Sequence, residues 1–142
     1  MELSVITINL NNATGLLKTM RSVLSQTFND FEYIIVDGES SDNSVDLIKE
    51  FNTKFQNLYW ISEPDSGIFN AMNKGINLSK GKYLLFLNSG DFLSDQNTLE
   101  QVFSNKRNAD ILCGKANIIE NGILAIAKRN DRINQMKQYS QR

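Results

Sequence analysis

Apolar positions along the chain alternate between the spacing of strands and the spacing of helices. Leu3 to Leu10 (LSVITINL) is rich in β-branched residues and predicts a first strand. Leu16, Leu17, Met20, Val23 and Leu24 then fall at helical spacing, with the helix opening near Thr14. Phe31 to Val36 (FEYIIV) predicts a second strand, stopped by Asp37-Gly38. Val45, Ile48 and Phe51, with Phe55 following, trace a second helix, for which Ser41 to Ser44 offer caps. Leu58 to Ile61 (LYWI) predicts a third strand, with Trp60 in the core. Ile68, Met72 and Ile76 mark a third helix that Gly81 is expected to end. Tyr83 to Leu87 (YLLFL) is apolar at every position, which predicts a central strand buried on both faces.

Beyond it the pattern weakens. Leu99, Val102 and Phe103 predict a fourth helix, and Ile111 to Cys113 a short fifth strand. Asn117 to Glu120 and Ile123 to Ala127 flank Asn121-Gly122, a strong hairpin signal. Lys128 to Arg142 is polar and basic. Strand and helix alternate through four units, so the expected fold class is α/β, with a mostly parallel sheet flanked by helices and a C-terminal hairpin.

In such sheets ligands sit outside the carboxyl ends of the strands. The first strand brings Thr7, Asn9 and Asn11 to that edge, the second Asp37 and Glu39, the third Glu63 and Asp65, and the fourth Asn88 and Asp91. Each turn has a plain explanation, since Asn, Asp, Ser and Gly are turn residues and Asp65 precedes a helix. Four polar ends on one edge suggest a binding site.

Composition narrows the chemistry. The 142-residue chain carries a formal net charge of -1, which gives no field to recruit nucleic acid. It has no histidine, which removes His-based triads, His-ligated zinc and histidine general bases. The lone cysteine, Cys113, excludes a disulfide framework and reads as a core residue. Lys74 and Lys80 read as a solvated helix face, with Lys74 within reach of a phosphate. No apolar run approaches membrane-spanning length, and no signal-peptide pattern opens the chain. The expected location is cytoplasmic.

The edge is rich in carboxylates and amides. It suits a hard cation such as Mg²⁺ or Mn²⁺, and hydroxyl or ring N–H donors of sugars and nucleobases. No GxxxxGK[ST] or GxGxxG loop is present, so P-loop and ordinary dinucleotide-binding readings lack support. From the residues alone, the expected ligand is of nucleotide type, held with a divalent metal.

The stretches SVITINLNN, SVLSQTF, EYIIVDGESSDNSVDLI, ISEPDSGIFNAMNKGI and GKYLLFLNSGD resemble the family 2 glycosyltransferases of the GT-A fold. They are most similar to the bacterial branch that builds capsule, O-antigen and exopolysaccharide. The resemblance runs from about Ser4 to Asp91 and, more weakly, to Gly114. It implies inverting transfer of a sugar from a nucleotide sugar, UDP-linked by preference, to a hydroxyl of a saccharide or lipid-linked saccharide. It implies nucleotide contacts at Asn11, Asp37, Asp65, Asn73 and Asn88, with Asp37 accepting a hydrogen bond from the base, and the strand-end reading adds Thr7, Asn9 and Glu39 to the expected nucleotide site. It also implies that Asp91 binds Mn²⁺ or Mg²⁺ bridging the diphosphate.

Ile8, Leu10 and Asn70 depart from the common proline, tyrosine and aspartate, and only Asp91 is acidic in its turn. That single acid predicts weak metal binding without the nucleotide. The expected division is a nucleotide-sugar-binding domain over 1–114, then a hairpin and basic tail over 115–142 that begin a truncated acceptor side. Asp110 and Glu120 are the only acids between the fourth helix and the tail open to a catalytic role, and neither is assigned one. The expectation is donor binding with little transfer; the alternative is a non-catalytic nucleotide-binding module acting through a partner chain. A homo-oligomer and peripheral association with the membrane's inner face through the basic tail both remain open.

Overall fold

The computed structural model describes residues 1–104, 110–112, 117–120 and 123–126. The chain divides into two compact units, Met1–Ser104 and Asn105–Arg142. In the first, strands β1 (Leu3–Asn9), β2 (Phe31–Asp37), β3 (Leu58–Ser62) and β4 (Tyr83–Phe86) alternate with helices α1 (Ala13–Leu24), α2 (Ser44–Asn52) and α3 (Ile68–Leu78). Helix α4 (Thr98–Ser104) follows. The four strands pair in parallel in the order β3-β2-β1-β4. In the second unit β5 (Asn117–Glu120) and β6 (Ile123–Ile126) pair antiparallel, as the hairpin signal predicts. Cys113 and the tail from Lys128 lie outside the described residues.

The period-two pattern of the strands sorts the core into two layers. Leu3, Val5, Tyr33 and Ile35 pack with Leu16, Met20 and Val23 of α1, Ile48 of α2 and Leu99 of α4. Trp60 packs against this layer, as expected of a core residue. Ile6, Ile34 and Val36 form the second layer with Ala71 of α3. Gly75 lets α3 lie directly on β1, because a β-carbon there would stand 2.5 Å from Ile6 Cγ2.

Several local expectations change. Among the described residues β4 stands at the edge of the sheet and pairs with β1 alone, and Leu84 is 42% exposed. Its apolar run reports contact with both layers and carries no information on sheet position. Helix α3 sits over Ile6 and Val36, which leaves Leu84 uncovered among the described residues. Gly81 does not end α3, which stops at Leu78 with Ser79 extended. Gly81 instead passes against the backbone of Leu3 and Ser4, where a β-carbon would collide. Asn12 rather than Thr14 caps α1, its side chain accepting from the Gly15 N–H at 3.1 Å. Ile111 and Leu112 are not in a strand; no strand partners them among the described residues, and Ile111 is exposed.

Alanine is the better helix former by about 1 kcal/mol in an unconstrained helix. Gly75→Ala is nevertheless expected to lower the unfolding free energy by about 1–3 kcal/mol, because the added methyl overpacks the α3–β1 contact. Urea denaturation measures this, and an unchanged or higher midpoint would mean that α3 sits less tightly on β1 than described.

Candidate functional site

Parallel pairing places Asn9 opposite Asp37, and Asp37 opposite Ser62, so three polar residues line up where β1, β2 and β3 end. Asp37 is completely buried. Its Oδ1 accepts from Asn9 Nδ2 (2.8 Å) and Ser40 Oγ (2.6 Å), and its Oδ2 from the Ser40 N–H (2.9 Å) and Ser62 Oγ (2.7 Å). A carboxylate offers about four acceptor positions, and all are used. The structure therefore places Asp37 beneath the site, against the expectation of a free acceptor for a base. Burial alone pushes its pKa up, but the hydrogen bonds from Ser40, Asn9 and Ser62 outweigh it and hold the carboxyl below its ordinary value.

Asn9 is buried, and its Oδ1 has no hydrogen-bond partner. Thr7 is buried too; its Oγ1 lies 2.9 Å from the Tyr33 hydroxyl and donates to Leu87 O at 2.7 Å, which ties β1 to the end of β4. Asn11 and Glu39 stand exposed with φ of 50° and 62°, the left-handed conformation that Asn tolerates better than Glu. Asn11 Oδ1 accepts from the Ser41 N–H at 2.7 Å, and the Asn11 N–H donates to Ser40 Oγ at 2.8 Å. The β1–α1 and β2–α2 loops are thereby laced together. Asp42 adds to this by accepting from the Ala13 N–H (2.8 Å) and the Ser44 N–H (2.9 Å), the first residues of α1 and α2.

After β3, Lys74 reaches back from α3 rather than facing solvent. Its Nζ lies 2.5 Å from Asp65 Oδ1 and 2.9 Å from Glu63 Oε1, and donates to Pro64 O at 2.8 Å. The partnership with Asp65, then that with Glu63, raises the Lys74 pKa. After β4, the turn Asn88-Ser89-Gly90-Asp91 is held by α1. Thr19 Oγ1 accepts from the Gly90 N–H at 2.9 Å and donates to Asp91 O at 2.6 Å, and Gly90 takes a φ of 104° that favours glycine. Asp91's carboxylate is exposed and unpartnered among the described residues. Asn88 Oδ1 is buried without a partner.

These loops surround a cleft of about 310 Å³ whose walls include Asn9, Leu10, Gly38, Asp65, Ile68 and Asn88. Among the described residues no lysine or arginine lines it. Of the expected site residues, Asn9, Asp65 and Asn88 meet here, with Asp91 three residues beyond Asn88. Thr7 and Asp37 lie below, Asn11 and Glu39 belong to the loop lacing, and Asn73 is exposed on α3 outside the lining. Sequence reasoning missed the supporting residues Thr19, Ser40, Asp42 and Ser62. Thr19 left one trace, a polar residue on the apolar face of a helix.

Because the folded pKa of Asp37 lies below the unfolded one, its stabilisation is full above about pH 4 and is lost as pH falls through the lower folded value. Asp37→Asn should be less stable at neutral pH and should show a shallower loss of stability under acid. Chemical denaturation at several pH values checks both; parallel acid limbs would remove Asp37 from the acid response.

The Glycosyl transferase family 2 model matches residues 4–142. An uncharacterized glycosyltransferase of Mycobacterium tuberculosis is 37% identical over 118 residues, covering 82% of this chain and 42% of that protein. The structure of S. aureus TarS 1-349 in complex with UDP is 26% identical with a TM-score of 0.67, covering 73% of this chain and 31% of that one. The mannosyltransferase PcManGT from Pyrobaculum calidifontis, solved with GDP-Man and Mn²⁺, shares the fold at a TM-score of 0.66 and 17% identity, over 72% of this chain and 31% of that one. The chain thus spans less than half the length of these proteins. The family match across nearly all of the chain, together with its fold, makes this protein a member of glycosyl transferase family 2 with the GT-A architecture.

Proposed function

We propose that this domain binds a nucleotide-diphosphate sugar at the carboxyl edge of its sheet, for inverting transfer of the sugar to an acceptor hydroxyl. The observation that carries the reading is the cleft itself. It gathers acid and amide oxygens from three strand ends, has no cationic side chain among its described lining residues, and its Asn88–Ser89 wall runs on to the exposed Asp91. Hydroxyl-rich and N–H-bearing ligands suit those oxygens. A UDP-sugar is the favoured donor, in keeping with the UDP held by TarS.

In the transfer, the acceptor oxygen forms a bond to the anomeric carbon from the face opposite the nucleotide. The bond to the diphosphate oxygen breaks, and its electron pair leaves with the nucleoside diphosphate. The acceptor's proton goes to a base, and no residue of this chain is assigned that role. Asp110 and Glu120 belong to the second unit.

The donor we assign to a divalent cation is the exposed Asp91 carboxylate. Among the described residues no three ligating side chains converge, so Asp91 contributes a single hard oxygen ligand from its turn. Asp91 would hold Mn²⁺ or Mg²⁺, which when bound neutralises charge growing on the diphosphate leaving group. Thr19 orients the turn for this by bonding Gly90 and Asp91 through their backbones. The acceptor we favour is a saccharide or lipid-linked saccharide of a bacterial surface polysaccharide, reached at the cytoplasmic face of the membrane. Among the described residues no helix is long and apolar enough to cross one.

Thermal unfolding with UDP, GDP and dTDP, each with and without Mn²⁺, tests the reading, since a ligand that binds only the folded state raises its stability. One nucleotide is expected to raise the melting temperature only when Mn²⁺ is present. Asp91→Ala is expected to leave the unliganded melting temperature unchanged and to abolish the metal dependence. A dependence that survives in Asp91→Ala would refute the metal assignment, and no shift with any pair would refute donor binding.

A further inference from the structure

Two aspartates, Asp37 and Asp65, follow strands that end at the cleft, and they differ in what each has left to bond. Asp37 is buried with every acceptor position occupied. Asp65 is the acid that lines the cleft. Lys74 pairs with Asp65 at Oδ1, and Oδ2 takes no part in that ion pair. That second oxygen has a defined position. A β-carbon placed on Gly38 would stand 3.2 Å from Asp65 Oδ2 and 3.3 Å from Leu10 Cδ1, so the oxygen, the leucine methyl and the glycine converge. Leu10 and Ile68, which also line the cleft, are 61% and 50% exposed. Two apolar surfaces beside a fixed carboxylate oxygen suit a flat ring that has an N–H on its edge.

We infer that Asp65, not Asp37, is the acceptor that recognises the nucleotide's base, taking the ring N–H of a uracil-, thymine- or guanine-type base while Leu10 and Ile68 cover the ring; this rests on the nucleotide-sugar reading above. Asp37 is then a positioning residue. It carries Gly38 and the laced loops into place and makes no contact with the base. Lys74 is a second positioning residue, since it orients the Asp65 carboxylate. Cytosine, whose ring N3 is itself an acceptor, is disfavoured at such an oxygen. Gly38 keeps the pocket open, because any side chain there would crowd both Asp65 and Leu10.

Calorimetric titration of the full chain with UDP and with its N3-methyl derivative, both with Mn²⁺, separates these roles. Methylation removes the N–H and is expected to weaken binding to the unaltered protein about tenfold or more, the cost of losing a hydrogen bond to a charged group. In Asp65→Ala the two ligands should bind alike. In Lys74→Met the preference for UDP should persist with weaker affinity for both. In Asp37→Asn, confirmed as folded by its circular dichroism, the preference should also persist. A methyl penalty that survives in Asp65→Ala overturns the inference whatever Asp37→Asn does. Equal binding of both ligands by the unaltered protein overturns it while leaving donor binding intact. Failure of the folded protein to bind any nucleoside diphosphate overturns donor binding, and this inference with it.

Discussion

One buried carboxylate organises the functional edge of this domain. Asp37 takes hydrogen bonds from the ends of β1 and β3 and from the loop that follows β2, so three parallel strands finish at a common point. Parallel strands connected by long crossovers have no tight turn to align their ends. An ionised group with all its acceptor positions filled does that work here. Removing one partner would leave a buried charge less than fully compensated, so the arrangement is stable only as a set.

The rest of the site is braced from that point outward. Ser40 passes the bonding on from Asp37 to Asn11, and Asp42 spans the starts of α1 and α2. Lys74 gathers the loop after β3, and Thr19 holds the turn after β4 from inside α1. Each loop is thus tied to a regular element by a short polar contact. Holding loops in this way lowers the ordering cost when a ligand arrives. What stays outside the bracing is informative by contrast. Asp65 Oδ2 and the Asp91 carboxylate take no part in it, and in the proposed reading the first serves the base and the second a metal-bound diphosphate.

Much of this was legible from the order of residues. Period-two and helical spacing located four strands and the helices between them, and the antiparallel pairing of β5 with β6 followed from turn chemistry. The errors have local physical causes. The unbroken apolar run of β4 describes its faces and not its neighbours, and among the described residues it pairs on one side only. Gly81 looked like a helix stop because glycine serves both for helix ends and for close backbone approach, and only the proximity of Ser4 distinguishes them. Lys74 looked like a surface charge because its partners, Glu63 and Asp65, become neighbours only when α3 folds back along the strand before it.

The sequence by itself determined the fold class, the edge of the sheet that carries the polar residues, and the resemblance that led to glycosyl transferase family 2. These depend on spacing and residue type along the chain, which are local quantities. The tertiary structure alone decided which acids are spent and which are free. Asp37 and Asp65 have the same side chain and both follow a strand. One is enclosed by Asn9, Ser40 and Ser62, while the other is held by Lys74 at a single oxygen. Hydrogen-bond saturation depends on neighbours brought from distant parts of the chain, and no pattern of spacing encodes it.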